Sequence, residues 1–229
     1  MRSTLVAALV WLGGCSNAPI EDGATFGPFT QVKTFFTSVF VAETSEGVVL
    51  VDSGFSKGAK PIAAFLDDRG LGLSDVTDVI VTHGHSDHVR GLGAFPNARI
   101  WAHEAEVDLV ADEAEDGIAV TNTVVDGDVI AVGELSLEVL HVPGHTPGNL
   151  CVLSEGVLMT GDTAMSFKDG TVGPAPERYS EDPEQATAEL LALRDRLAER
   201  GDDLSAVAFA HSQGLTDLGP FWDMRAPEP

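Results

Sequence analysis

The run Thr82-His83-Gly84-His85-Ser86-Asp87-His88 constrains this chain more than any other stretch, because three imidazoles and a carboxylate crowd into six residues. It follows directly on Val76 to Val81, a β-rich segment, so the reading is a strand that delivers these side chains into a tight loop. Alternate residues of an extended backbone face the same way, which lets His83 and His85 address one ion. The turn through Ser86 then swings Asp87 and His88 toward a neighbouring position. Gly84 lacks a Cβ and permits the close backbone approach this needs. Imidazole and carboxylate together suit zinc, iron and similar metals. A solvated polar loop that happens to be rich in His is the bland alternative.

A chain of 229 residues with ordinary apolar content is expected to fold as one domain. Its formal charge of -23, from 13 Lys and Arg against 36 Asp and Glu, makes the average surface repel polyanions. Nucleic acid is therefore a poor partner, and a small molecule is the expected one. The two cysteines do not make a disulfide framework. Cys15 closes an apolar run, Leu5 to Leu12, preceded by Arg2 and followed by Gly13-Gly14, which has the sections of an export signal. That run falls far short of the roughly 20 residues of a spanning helix. Leu12-Gly13-Gly14-Cys15 resembles the lipobox of bacterial lipoproteins, in which cleavage leaves the Cys as a lipidated first residue. The expected organisation is a signal peptide over 1–14, a lipid-bearing Cys15 opening a polar tether over 15–28, and a folded domain over 29–229. The protein would then be exported to the periplasmic or cell-surface side and touch a membrane only through that anchor. A plain secretory signal, or a buried amino-terminal strand, is the alternative. Cys151 lies in an apolar run and reads as a small core residue.

Along the chain, Phe29 to Ala42 and Gly47 to Val51 read as a hairpin whose second strand ends in Asp52. Ala59 to Asp68 reads as a helix and Thr77 to Val81 as a strand, with the first turns of a helix from His88 to Leu92. Arg99 to Ala102 reads as a strand, and His103 to Glu113 as a helix with an acidic solvent face. Strands are expected over 120–125, 128–132 and 135–142, then a hairpin of 150–153 with 157–160. Phe167 to Ser180 reads as a long loop, Ala186 to Arg200 as a helix stopped by Gly201, and Leu204 to Ala210 as the last strand. Alternating helices and strands with several hairpins make the class α/β or α+β with mixed sheets. His103 and His141 are read as structural.

Three further residues repeat the placement of the opening motif, each at a strand end and followed by Gly, Pro, Ser or Thr. They are His145 in Pro143-Gly144-His145-Thr146-Pro147-Gly148, Asp162 in Gly161-Asp162, and His211 in Ala210-His211-Ser212. With Val48-Val49-Leu50-Val51-Asp52 upstream, this order resembles the metallo-β-lactamase superfamily over nearly the whole body of the chain. The resemblance implies an αββα sandwich of two mixed β-sheets flanked by helices, with a dinuclear site at one edge of the strands. It assigns His83, His85 and His145 to a first metal, Asp87, His88 and His211 to a second, and Asp162 to a bridge between them. Asp52 matches the acidic residue that supports the ligands from behind. The implied cofactors are two divalent ions, zinc foremost, with iron or manganese as alternatives.

Two such ions share and activate a water, so hydrolysis by direct attack follows, with no covalent enzyme intermediate. Asp87 and His88 are the residues singled out as catalytic. An Asp at the bridging position is similar to the thioesterases, lactonases and phosphodiesterases of the family. Met165 stands where its lactonases often place Tyr, and the long basic helical region of its glyoxalase II enzymes has no counterpart here. The expected reaction is therefore cleavage of a small ester, thioester or related bond. Two other readings stay open: a mononuclear iron oxygenase similar to the persulfide dioxygenases, and a non-catalytic domain stapled by metals.

Overall fold

The computed structural model of the protein describes residues 16–114 and 117–225. The expected signal peptide over 1–14 and Cys15 lie outside them. Several strands of this chain, such as Gly47–Val51, Val157–Met159 and Ala206–Ala208, are apolar at successive positions rather than at alternate ones, a pattern that requires cover on both faces. The larger sheet runs in the order β1 (Thr25–Phe26), β2 (Phe29–Thr34), β3 (Thr37–Thr44), β4 (Gly47–Val51), β5 (Val76–Ile80), β6 (Arg99–His103) and β7 (Asn122–Val124). It is antiparallel from β1 to β4 and parallel from β4 to β7. The second sheet is built from β8 (Val129–Val132), β9 (Leu135–His141), β10 (Leu150–Ser154) and β11 (Val157–Met159). A ribbon of β12 (Met165–Ser166) with β13 (Val172–Gly173) follows, and β14 (Ala206–Ala208) pairs parallel to β11 at the edge of the second sheet.

Alternation decides which layer each side chain enters. In β4, Val49 and Val51 face the second sheet, while Val48 and Leu50 face outward onto α1 (Lys60–Asp67). On the other side, Val152 of β10, Met159 of β11 and Ala208 of β14 close the layer between the sheets. Cys151, Leu158 and Val207 point the opposite way, onto Leu190, Leu193 and Leu197. Those leucines recur at helical spacing on one helix, Pro183–Arg200. With α2 (Ser86–Val89) and α3 (Val107–Glu113) introduced before it, that helix is α4; a last short α5 spans Gly219–Trp222. The outcome is the layered αββα sandwich of two mixed sheets. Asp182 caps α4 by accepting from the Gln185 amide, Pro183 sits in its first turn, and Gly201, at φ 70°, ends it in the left-handed region. Cys151 is buried in the outer layer, where burial pushes its thiol up to about 12.

Several elements differ from the sequence reading. Phe29 to Ala42 is two strands, because the chain reverses at Phe35-Phe36 with Phe35 at φ 76°. The helix of the opening motif begins at Ser86, and the helix expected from His103 begins at Val107 after a 3-10 turn over Glu104–Glu106. The segment 167–180 holds β13 and a 3-10 turn over Glu177–Tyr179. Residues 16–28, expected as a tether, are seated on the domain instead. Asn17 bridges Phe167, the Ala18 amide donates to Ser166, and the Phe26 ring is buried between the sheets. One buried aromatic and a set of backbone hydrogen bonds outweigh a polar composition here. No helix among the described residues is long and apolar enough to cross a membrane.

Candidate metal centre

Both sheets deliver side chains to the same edge of the sandwich. β4 ends in Asp52, β5 leads into His83 and His85, β9 into the loop of His145, β11 into Asp162 and β14 into His211. Gly84 earns its place by contact rather than by φ: a Cβ there would meet Leu109 Cγ at 2.7 Å. All seven side chains that the sequence singles out come together. His83, His85 and His145 form one group, Asp87, His88 and His211 another, and Asp162 joins His83 and His88 in a third.

The first trio is nearly equilateral. His83 Nε2 lies 3.1 Å from His85 Nδ1, and His145 Nε2 lies 3.2 Å and 3.0 Å from the same two atoms. A tetrahedral zinc bound at 2.0–2.1 Å separates its nitrogen ligands by about 3.3 Å, so the spacing fits one cation. In the second group, His211 Nε2 stands 3.1 Å from Asp87 Oδ2, and His88 Nε2 stands 3.5 Å from it. Asp162 addresses both groups. Its Oδ1 is 3.3 Å from His88 Nε2 and 3.1 Å from His211 Nε2, whereas its Oδ2 is 3.5 Å from His145 Nε2. His88 Nε2 and Asp162 Oδ1 are buried without a hydrogen-bond partner, which is the condition of atoms arranged for a cation.

The far sides of the rings fix which nitrogen carries the lone pair. His211 Nδ1 lies 2.9 Å from the Phe36 carbonyl, an oxygen that only accepts, so Nδ1 holds the proton and Nε2 is free to ligate. His88 Nδ1 donates in the same way to Asp52 Oδ2 at 2.8 Å. Asp52 also accepts from the Thr82 amide and hydroxyl, and His83 Nδ1 lies 3.1 Å from that hydroxyl. Asp52 thus orients ligands of both groups. It does so from a backbone φ of 66°, unusual for a residue with a side chain, and buried at 2% exposure.

Electrostatics separate the two groups. Burial, with His88 and His145 adding repulsion, holds His83 well below the ordinary imidazole value, and burial lowers His145 to about 4 against the pull of Asp162. These rings are neutral and their lone pairs available. Burial alone would lower His211, but Asp162 and Asp87 outweigh it and raise it to about 10. His88 is likewise raised against its burial, by Asp52 and Asp162. Asp162 is held well below the carboxylate range despite burial, by His211 and His88. Two anionic carboxylates are thus charge-matched by imidazolium in the metal-free protein, the role a divalent cation takes when it binds.

One residue of this centre was hidden in the sequence. Glu106, expected on an acidic solvent face, is fully buried: Oε2 accepts from the Gly84 amide and Oε1 from the Gly148 amide, each at 2.7 Å. It fastens the loop of His83 and His85 to the loop of His145. Glu106→Ala is expected to lower metal affinity by about 10- to 100-fold, the usual cost of losing an orienting partner, with Glu106→Gln intermediate. Competition with a chelating dye measures this, and unchanged affinity in the folded variant would remove the role. His141 Nε2 lies 2.9 Å from the Pro147 carbonyl and its ring stacks on His103 at 4.2 Å, so this pair braces the same loop. A cleft of about 1040 Å³ opens over the centre, with Ser16, Asn17, Phe36, Met165 and Tyr179 on its walls.

Comparison with solved structures returns the same architecture. A subclass B3 metallo-β-lactamase with an active-site glutamic acid superposes with a TM-score of 0.66 at 20% identity, covering 90% of this chain and 86% of that one. The subclass B3 enzyme of Bradyrhizobium japonicum gives 0.62 at 19% identity, with 94% and 87% covered. In sequence, the chain is 35% identical over 174 residues to a hydroxyacylglutathione hydrolase of Aeromonas hydrophila, covering 74% of this chain and 59% of that protein. The chain thus spans between half and two thirds of the length of that relative. With its sandwich, its candidate His and Asp metal-binding groups, and a match to the family model over residues 32–200, the chain belongs to the metallo-β-lactamase superfamily.

Proposed function

We propose that the protein is a dinuclear metallohydrolase of a small thioester, ester or related bond. The observation that carries this is Asp162, whose two oxygens face separate groups of ligands. The thioester leads because relatives named hydroxyacylglutathione hydrolase match most of this chain. His83, His85 and His145 would hold one cation, Asp87, His88 and His211 the other, with Asp162 between them; zinc suits this donor set, and iron or manganese are alternatives. Two cations held there supply a water acidic enough to attack at neutral pH and a positive clamp for the oxyanion that attack creates. Asp52 keeps His88 in the ligating tautomer, and Glu106 keeps the two loops in register. Asp87 lines the cleft as an anion, and a carboxylate there would take a proton from the attacking water and return it to the leaving atom.

The convergence of Asp87, His88 and His211 weighs against a mononuclear iron oxygenase, which leaves those residues without a task. The cleft over the centre weighs against a purely structural use of metal. Metal counting, together with turnover of thioester, lactone, carboxylic ester, phosphodiester and lactam probes by metal-replete protein, tests the reading. Two metals and hydrolysis of a thioester or ester are expected. A single iron with oxygen consumption on a persulfide would overturn it. We also propose that Cys15 carries a lipid on the exported face of a bacterial membrane, since Leu12-Gly13-Gly14-Cys15 resembles a lipobox. Cys15→Ala should move the protein from the membrane to the soluble fraction; unchanged fractionation would end that proposal.

A further inference from the structure

Most of the ligand-bearing segments are fastened by groups close to them. Glu106 ties the loop of His83 and His85 to that of His145, and Asp87 and His88 ride on α2. The loop of His211 has no such support from regular structure. The chain leaves β14 at Ala208 and enters no further strand or helix until α5 at Gly219. What reaches this loop is Gln31, from the middle of β2 in the other sheet. Gln31 is fully buried on the face of β2 that carries Phe29. Its Nε2 donates to the carbonyls of Phe209 at 3.1 Å and Ser212 at 3.3 Å, and to the Ser38 hydroxyl at 2.9 Å. The two carbonyls bracket Ala210 and His211. Both oxygens only accept, which fixes the amide with its nitrogen toward the loop.

The same hairpin also holds the ring. The Phe36 carbonyl, at the turn between β2 and β3, accepts from His211 Nδ1 at 2.9 Å. β2 and β3 are paired from Thr30 to Thr34, so the hold on the His211 backbone and the hold on its imidazole share one ladder. This arrangement burdens the core. Gln31 Oε1 is buried with no partner among the described residues, and an unpaired buried amide oxygen is unfavourable. An apolar side chain of the same length would fill the place without that penalty. What the amide adds over such a side chain is its pair of bonds to the His211 loop.

Resting on the dinuclear reading above, we infer that Gln31 is a positioning residue for the second metal group. Its side-chain amide holds the His211 loop in register with Asp87 and His88, so affinity for the second cation depends on Gln31 and affinity for the first does not.

Stepwise zinc binding to the full chain, measured by competition with a chelating dye, tests this in wild type, Gln31→Met, Val32→Ala and His211→Ala. Gln31→Met keeps the volume and removes the donor. It is expected to bind the first equivalent within about twofold of wild type and the second about 10- to 100-fold more weakly, the usual loss when an orienting partner is removed. Gln31→Glu has the same outline but sets a carboxyl oxygen against the two carbonyls, and should act in the same direction; either variant, once shown folded by circular dichroism, suffices. Val32→Ala opens a cavity at the next position of the strand, in the outer layer, and should lower the thermal midpoint while leaving both metal affinities alone. In a His211→Ala background, Gln31→Met should change no remaining affinity, because the loop then carries no ligand. Equal weakening of both equivalents, or a further loss in the His211→Ala background, would overturn the inference. Wild-type protein that never takes a second equivalent overturns the dinuclear reading and this inference with it, whereas two equivalents indifferent to Gln31 sink the inference alone. Turnover enters none of these readouts, so a protein that holds two ions with this dependence and hydrolyses nothing loses only the hydrolase reading.

Discussion

Asp162→Ala is expected to reduce turnover on the responsive substrate by roughly a thousandfold or more and to lower the bound metal below two equivalents. A thousandfold corresponds to about 4 kcal/mol of barrier, within the several kcal/mol that metal clamping of a developing charge contributes. Asp162 is the one side chain with an oxygen toward each group, Oδ1 near His88 and His211 and Oδ2 near His145. Without it, two cations would face each other with no anion between them. The fold should survive, because the residue follows β11 in a loop and the His211 and His88 rings left without it can shed their protons instead of staying charged. Steady-state kinetics with elemental analysis and a thermal melt decide the matter. A folded Asp162→Ala protein that keeps both metals and its rate would mean that this carboxylate bridges nothing.

The second large effect is on stability. Asp52→Ala should destabilise the metal-free protein by about 3–5 kcal/mol, the range for removing one partner of a buried, hydrogen-bonded ion pair. Asp52 accepts from the Thr82 amide, the Thr82 hydroxyl and His88 Nδ1, so its loss strands three buried donors. Asp52→Asn isolates the ring contact. Asn tolerates the left-handed backbone at this position and can still accept from Thr82, but its amide group meets the His88 N–H donor to donor. It should cost less in stability than Ala, while weakening metal binding to the group that contains His88. Urea unfolding at constant m-value measures both variants. An Asp52→Ala protein within 1 kcal/mol of wild type would show that the strained carboxylate carries no such load.

The gathering of the candidate ligand side chains was legible because five of them precede a small or turn-forming residue just past a strand, with Asp87 and His88 close behind His85 on α2, and those are local signals. The layers were legible for a related reason: strands apolar at every position, such as Val48 to Val51, need partners on both sides. What escaped was settled at long range. Glu106 is separated by 22 residues from Gly84 and by 42 from Gly148, and nothing in the letters Glu104-Ala105-Glu106 distinguishes the buried acid from the exposed one. The reversal at Phe35-Phe36 has no Gly, Pro or Asn to announce it; pairing of β2 with β3 imposes the positive φ instead. The chain from Ser16 to Pro28 looked free because its composition is polar, yet its amides and the Phe26 ring find partners far along the sequence.

The seating of that first segment has a practical side. Asn17 donates from its side chain to the His211 carbonyl, and Lys168 donates its amide to Ser16, so the chain is pinned within a residue or two of the cleft rim. Any bulky fusion joined directly ahead of Ser16 would hang over the doorway through which reactants pass. Purification handles belong at the opposite terminus, beyond Arg225, and an inactive preparation carrying a forward tag would say more about the tag than about the proposed activity.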